Sequence, residues 1–208
     1  MKIGIMGGTF DPIHNGHLAI AKAAYDQFGL DKIWFMPNGN PPHKALADIG
    51  SSIEDRLRMV ELAIAGHTGF RLEKYEANRK NISCSYETME HFAKLYPDED
   101  FYFIIGADSL FTVETWVHPE RLFPTCTILA AFRDEMDTRD EMERQMRYLE
   151  EKYNAKASLL VSPLIKVSSS ELRKRIRDGK SIGGLVPEKV EEYIKKECLY
   201  GAKNKQNK

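Results

Sequence analysis

Residues 2–18 read KIGIMGGTFDPIHNGHL, in which a short apolar stretch passes through a Gly-Gly turn into an alanine-rich segment. Ile3 and Ile5 alternate with their neighbours as they would in a strand. Gly7 and Gly8 allow the backbone to turn sharply and to approach a ligand without an intervening Cβ atom. The helix that follows would offer backbone N–H groups and the positive end of its dipole. The stretch therefore predicts a strand, a tight turn and a helix that together bind a polyphosphate.

His14 and His17 stand where that helix is expected to begin. Because they are three residues apart, both imidazoles can point to the same side. Two imidazoles could bind zinc, but a zinc site needs a third protein ligand and usually a supporting carboxylate, and this segment offers only Asp11. A lone Gly pair would ordinarily serve only the turn. Here Gly, Thr, Asp and His are all packed around one strand-to-helix joint, which favours a ligand site. We therefore interpret the cluster as a phosphate site without metal ligands.

Length and charge fit a single domain that is large enough to bury a core. The chain has 208 residues and a net charge of −1, and 29% of its residues are charged. This balance gives no electrostatic reason to expect a nucleic-acid partner, because binding a phosphate backbone needs a clustered basic surface. No apolar run approaches the ~20 residues of a membrane-spanning helix, and no apolar signal segment follows Lys2. We expect a cytoplasmic protein that binds neither nucleic acid nor a membrane.

The three cysteines support the same location. Cys84, Cys126 and Cys198 are odd in number and widely spaced, without a CxxC pattern. This pattern is typical of reduced thiols and not of disulfides or a metal site.

Strand-like and helical patterns alternate along the chain. Apolar strand-like runs cover residues 2–7, 32–37, 70–77, 101–105, 126–131 and 158–161. Such alternation predicts an α/β fold, a doubly wound, mainly parallel sheet with helices on both faces. Sheets of this kind bind ligands at the carboxyl ends of their strands. The segments GGTFD, PNGNPPHK and GADS follow the first, second and fourth runs, so we expect them to meet at one edge of the sheet.

Capping residues predict the helix boundaries. Helical patterns cover residues 17–28, 52–66, 85–96 and 139–153. Gly29 is expected to end the first helix, while Ser52 and Ser85 are expected to cap the second and third. The third must end at residue 96, before Pro97.

Residues 167–173, VSSSELR, have the pattern of another helix N-terminus. Ser168–Ser170 would stand at its start and Arg173 one turn in. Hydroxyls, N–H groups and a guanidinium in this arrangement could receive a pyrophosphate. Alone, the pattern would indicate only a serine cap and a solvated arginine. Together with the histidine cluster, it favours a phosphate site.

Several motifs together resemble a known family. HNGH at residues 14–17, with GGTFD before it and VSSSELR at 167–173, is similar to the HxGH nucleotidyltransferase superfamily. Within it, residues 7–18, WFMPNGNPPHK at 34–44 and GADS at 106–109 resemble bacterial nicotinate-mononucleotide adenylyltransferases. The resemblance covers the chain from residue 1 to about residue 200.

The resemblance implies a Rossmann-like nucleotidyltransferase domain over residues 1–200 and a polar, disordered tail over 201–208. It implies transfer of AMP from ATP to nicotinate mononucleotide by direct in-line attack, giving deamido-NAD and pyrophosphate in NAD biosynthesis. The expected cofactor is Mg²⁺, held mainly by the phosphates of ATP. The expected partners are ATP and nicotinate mononucleotide, with a homo-oligomer left open.

The resemblance also implies which residues form the site. Catalytic roles fall to His14, His17, Lys44 and Arg173. Lys44 lies in a loop stiffened by Pro41 and Pro42. The residues expected to bind ATP and its phosphates are Gly7, Gly8, Thr9, Phe10, Gly106, Asp108, Ser168, Ser169 and Ser170. Ser85 and Trp116 are expected to bind the nicotinate group. The family's usual Ser-Tyr-Thr is replaced here by Ser83-Cys84-Ser85, which removes a tyrosine from this wall of the pocket.

Other members of the superfamily and one different class compete with this interpretation. Pantetheine-phosphate adenylyltransferases usually carry Thr at the position of His14 and lack the segment at 34–44. Glycerol-phosphate cytidylyltransferases carry a different signature, and class I aminoacyl-tRNA synthetases have a KMSKS-like loop that this chain lacks. A nucleotide sensor without turnover would be expected to lose the charge-stabilising residues, which are all present.

Overall fold

A parallel sheet of six strands organises the described part of the protein. The computed structural model describes residues 1–39, 49–79, 81–133, 136–163 and 165–202, with only the backbone described at 133 and 136–138. The strands are β1 (Lys2–Gly8), β2 (Lys32–Pro37), β3 (Phe70–Leu72), β4 (Asp100–Gly106), β5 (Thr127–Arg133) and β6 (Lys156–Ser162). Their order is β3-β2-β1-β4-β5-β6, and each neighbouring pair is parallel. The prediction of a parallel, doubly wound sheet is confirmed.

Helices connect the strands. They are α1 (Asn15–Phe28), α2 (Ile53–Ile64), α3 (Ser85–Leu95), α4 (Ala107–Thr112), α5 (Pro119–Leu122), α6 (Met136–Tyr153), α7 (Ser169–Arg177) and α8 (Glu188–Lys196). A short 3₁₀ turn, Leu199–Gly201, follows α8. None of the helices within the described ranges is long and apolar enough to cross a bilayer.

Two apolar clusters cover the two faces of the sheet. Alternate residues of β4 illustrate the division, because Phe103 and Ile105 belong to one cluster and Ile104 to the other. The cluster that contains Phe103 and Ile105 packs under α3 to α6. The cluster that contains Ile104 packs under α1, α2, α7 and α8. Burial on both faces explains why the central strands read as continuous apolar runs.

The strand order reverses between β1 and β4. From β1, the chain first builds outward through β2 and β3, and then returns to add β4 on the other side. The carboxyl ends of β1 and β4 therefore diverge into connections on opposite faces, which leaves a crevice between them.

Several predicted boundaries are wrong. The third strand ends at Leu72 and not at residue 77, because the Glu73 carboxylate accepts hydrogen bonds from the backbone N–H groups of Lys74 and Tyr75 and turns the chain. Cys84, not Ser85, is the N-cap of α3, since it keeps an extended backbone (φ −97°, ψ 137°).

The second helix ends at Ile64, earlier than the expected residue 66. The sixth helix begins at Met136 and not at residue 139. Two predicted caps are confirmed. Gly29 ends α1 in the left-handed conformation (φ 58°), and the Ser52 hydroxyl caps α2 by accepting from the Asp55 N–H. Residues 203–208 of the expected tail lie outside the described part of the chain.

Candidate functional site

A cleft of about 640 Å³ opens at the carboxyl ends of β1 and β4. The predicted site residues that line it are Gly7, Gly8, Thr9, His14, His17, Ser85, Gly106, Trp116, Ser168, Ser169, Ser170 and Arg173. They come from the β1–α1 turn, the start of α3, the β4–α4 turn, the residues after α4 and the start of α7. The fold thus gathers motifs that lie up to 166 positions apart in sequence, as between Gly7 and Arg173.

The turn after β1 is built on a left-handed residue and a close backbone approach. Phe10 has φ 50° and is buried. A Cβ atom on Gly8 would lie only 3.1 Å from the Phe10 ring, so a larger residue there would have to displace that ring by a few tenths of an ångström. The Phe10 ring meets that of His17 edge-on, with centroids 5.0 Å apart. Phe10 is not among the residues that line the cleft, and it contacts the cleft-lining His17.

His14 and His17 lie together at the start of α1. Their rings stack with centroids 3.7 Å apart, and the backbone N–H of His14 donates to Nδ1 of His17 at 3.2 Å. Since Nδ1 of His17 accepts this bond, the proton of the neutral ring lies on Nε2. That assignment makes Nε2 of His17 a hydrogen-bond donor at a cleft-lining side chain.

The N-terminus of α7 is tied to the same turn. The Ser168 hydroxyl caps the helix by accepting from the Glu171 N–H at 3.2 Å, and the Ser169 hydroxyl donates to the Pro12 carbonyl at 2.9 Å. Nη1 of Arg173 donates to the Asp11 carbonyl at 2.7 Å. These bonds fix the serine segment and Arg173 beside the two histidines.

Arg56 is a functional candidate that the sequence patterns did not indicate. Its side chain is only 1% exposed, and Nη1 donates to the carbonyls of Thr9 at 2.9 Å and Asn38 at 2.7 Å. Burial lowers the pKa of Arg56, while the charge of Asp11 raises it. The guanidinium therefore links the cleft-lining ends of β1 and β2 from beneath.

The other end of the cleft is lined by Glu76, Ser83, Cys84, Ser85 and Trp116. Glu76 is buried and accepts a hydrogen bond from the Thr88 hydroxyl at 2.7 Å, and burial raises the pKa of its carboxyl group. It was missed because it fell within the overlong third strand. Burial also raises the pKa of the Cys84 thiol, which favours its neutral form.

Glu87 lies in the first turn of α3, close to this end of the cleft. Its carboxylate accepts from Nη2 of Arg79 at 2.8 Å and from the Tyr86 hydroxyl at 3.2 Å. Glu87 itself is not among the residues that line the cleft.

Two further predicted residues stand apart from the rest. Asp108 is exposed in the first turn of α4 and does not line the cleft, although Gly106, the N-cap of that helix, does. Lys44 lies outside the described residues, so its catalytic role stays a prediction.

The sequence matches known proteins over most of its length. The cytidylyltransferase-like family model matches residues 5–175. A probable nicotinate-nucleotide adenylyltransferase from Lachnoclostridium phytofermentans is 43% identical over 199 residues, which cover 96% of this chain and 98% of that protein. A probable nicotinate-nucleotide adenylyltransferase from Geobacillus kaustophilus is 41% identical over 202 residues, which cover 97% and 87% of the two chains.

Solved structures agree in fold. Plasmodium falciparum nicotinic acid mononucleotide adenylyltransferase complexed with NaAD has a TM-score of 0.79 at 21% identity, covering 97% of this chain and 98% of its own. The same enzyme complexed with APC gives a TM-score of 0.78 at 20% identity, with the same coverage. At these identities the similarity supports the architecture and not the details of a site.

Proposed function

This chain belongs to the cytidylyltransferase-like family, and its relatives are named as probable nicotinate-nucleotide adenylyltransferases; from that premise we propose its reaction. It transfers AMP from ATP to nicotinate mononucleotide, giving deamido-NAD and pyrophosphate. One observation carries the proposal: the two stacked histidines, the N-terminus of α7 and Arg173 converge on one cleft at the reversal point of the sheet. This arrangement offers hydrogen-bond donors and positive charge to a triphosphate.

The phosphate end of the cleft suits an in-line displacement at the α-phosphorus of ATP. The attacking phosphate is already ionised, so positioning and charge stabilisation dominate and no strong base is required. We assign His17 to the transferring phosphoryl group, because its Nε2 is a donor at the start of α1. His14 lies beside it, and the serines of α7 with Arg173 would receive the departing pyrophosphate.

The acceptor end suits a nicotinate ring with its carboxylate. The α3 helix begins at Ser85, and its first N–H groups and dipole would favour a carboxylate at this end of the cleft. Trp116 is half-buried in the lining and could stack on the pyridine ring. Glu87 does not line the cleft and is paired with Arg79, so it is not placed to accept from the NH₂ group of an amide.

Magnesium would accompany ATP and would neutralise part of the charge on its phosphates. Among the described residues, no group of three His, Cys, Asp or Glu side chains is arranged to hold a metal ion. Asp11 is occupied by hydrogen bonds from Gly50, Ser51 and Tyr200. An ion held by the phosphates and water fits this donor set better than one caged by protein side chains.

Lys44 and the cytoplasmic location remain part of the proposal. Lys44, which follows β2 in the sequence, would contribute charge to the phosphates. Cys84, Cys126 and Cys198 are all free thiols, which is consistent with a reducing compartment.

Product identification tests the proposal. The protein is incubated with ATP, Mg²⁺ and, in separate reactions, nicotinate mononucleotide, nicotinamide mononucleotide, pantetheine phosphate and glycerol phosphate. The expected result is release of pyrophosphate together with a dinucleotide of the mass of deamido-NAD in the first reaction. ATP binding without pyrophosphate in any reaction would instead indicate a nucleotide sensor.

A further inference from the structure

Tyr200 reaches from the C-terminal turn to the turn after β1. It lies in the Leu199–Gly201 turn with φ 58° and is buried. Its hydroxyl donates to Oδ1 of Asp11 at 2.7 Å and lies 3.1 Å from the hydroxyl of Ser51. Burial and the charge of Asp11 raise the pKa of Tyr200, so the phenol keeps its proton and acts as a donor.

Asp11 gathers donors from three separate segments. Its carboxylate accepts from the Gly50 N–H at 2.7 Å, from the Ser51 hydroxyl and from Tyr200. The same residue holds Arg173, whose Nη1 donates to the Asp11 carbonyl at 2.7 Å and lies 3.5 Å from its carboxylate. The position of Asp11 therefore sets the position of the guanidinium at the cleft.

Gly50 completes this contact. A Cβ atom added there would lie 3.0 Å from Cδ of Arg173 and 3.0 Å from two ring carbons of Tyr200, so the backbone of Gly50 packs between the two side chains. The arginine is thus held by packing on its aliphatic part as well as by the hydrogen bond and the ion pair at Nη1. Its side chain remains 18% exposed, on the side that lines the cleft.

We propose that Tyr200 is a positioning residue for ATP: by donating to Asp11, it fixes the residue that orients Arg173 toward the triphosphate. Tyr200 does not itself line the cleft, so its effect passes through Asp11. The proposal rests on the proposed function for the identity of the substrates. The C-terminal turn, although Tyr200 lies 189 residues from Asp11 in sequence, thus takes part in binding ATP.

The chain offers a matched control in Tyr193. Its hydroxyl donates to Oδ1 of Asp55 at 2.8 Å. Like the bond of Tyr200, this bond ties the C-terminal part of the chain to a distant aspartate, here in α2. Burial, followed by the bond to Asp55, raises the pKa of Tyr193 to about 12, so it too acts as a donor. Asp55, however, bonds to Ser52 at the cap of α2, while Asp11 bonds to Arg173.

The experiment compares Tyr200→Phe with Tyr193→Phe in the full chain. The affinity for ATP is measured by calorimetry without an acceptor, and the KM of each substrate by pyrophosphate release. Loss of one hydrogen bond to a charged group is expected to weaken ATP binding about tenfold. The KM for nicotinate mononucleotide should stay at the wild-type value, and Tyr193→Phe should bind ATP as the wild type does.

A double-mutant cycle separates positioning from a general structural role. In an Arg173→Ala background, Tyr200→Phe should have almost no further effect on ATP affinity, because the link ends at the guanidinium. An undiminished tenfold effect in that background would overturn the proposal, as would equal losses for both substrates or equal effects of the two tyrosine variants.

If Tyr200→Phe does not fold, as judged by its thermal transition, Ser51→Ala removes another donor from Asp11 and must show the same pattern for the proposal to hold. If the wild type binds ATP but does not adenylylate nicotinate mononucleotide, the proposed function fails, and the cycle in ATP affinity still decides the role of Tyr200.

Discussion

The backbone N–H of His14 donates to Nδ1 of His17, and the two rings stack with their centroids 3.7 Å apart. This pairing fixes both the orientation of His17 and the position of its ring proton. A donor that is already oriented costs little reorganisation when charge develops on a phosphoryl oxygen.

Replacing His17 should therefore lower turnover far more than ATP affinity. Loss of a donor to a transition-state oxyanion typically costs about 10²–10³ in kcat. We expect a loss of this size for His17→Ala, measured by pyrophosphate release, with ATP affinity measured by calorimetry. His67→Ala is a suitable control, because His67 also stacks on an aromatic ring, that of Phe70, but is exposed outside the cleft. Near-normal turnover of His17→Ala would contradict the assignment.

Arg173→Lys tests whether a planar guanidinium is needed. Lysine keeps the charge but loses the fork of donors that binds a phosphate with two parallel bonds. It also cannot hold the Asp11 carbonyl and a phosphate in the same geometry. We expect a raised KM for ATP and a lowered kcat, while Arg177→Lys, an exposed change in the same helix, leaves both unchanged. Unaltered constants for Arg173→Lys would indicate a solvated arginine.

Arg56→Met tests the buried link beneath the cleft. The change removes the guanidinium that donates to the carbonyls of Thr9 and Asn38, and loss of a hydrogen bond from a charged group costs about 1.5–3 kcal/mol. We expect the free energy of unfolding in urea to fall by about 2–4 kcal/mol. Arg58→Met, an exposed change in the same helix, should stay within about 0.5 kcal/mol of the wild type. Equal effects of the two changes would rule out a special role for Arg56.

Glu76 gives a pH dependence with a defined sign. Burial raises its pKa above the ordinary value of 4.5, so the folded state holds this proton more tightly than the unfolded state. The stability that this proton contributes is present below the unfolded pKa and is lost as pH rises through the folded pKa. Glu76→Gln should therefore lose less stability than the wild type as the pH rises above 4.5. Urea unfolding at several pH values checks this, and parallel curves for the two proteins would contradict it.

The motifs and the alternation of strand and helix patterns predicted the parallel sheet and many of the residues that line the cleft. Glycines, histidines and helix-capping serines act through short-range geometry, which sequence spacing records directly. Arg56 could not be found in this way, because an arginine in a helix is normally exposed and its two carbonyl partners come from other elements. Tyr200 was missed for the same reason, since its contact with Asp11 depends on the tertiary fold. Glu73 misled the strand prediction, because its side chain competes for backbone N–H groups.

The specificity constants for nicotinate mononucleotide and nicotinamide mononucleotide, measured side by side with saturating ATP, test the proposed function most directly. A carboxylate at the N-terminus of α3 would accept charge-assisted bonds, whereas an amide would turn its NH₂ donor toward at least one N–H group. Glu87 is paired with Arg79 and is not among the cleft-lining residues that could accept from the amide. We expect kcat/KM to favour the acid by about 10²–10⁴. Comparable values would show that the start of α3 does not face the ring substituent, and no pyrophosphate release with the acid would contradict the proposed reaction itself.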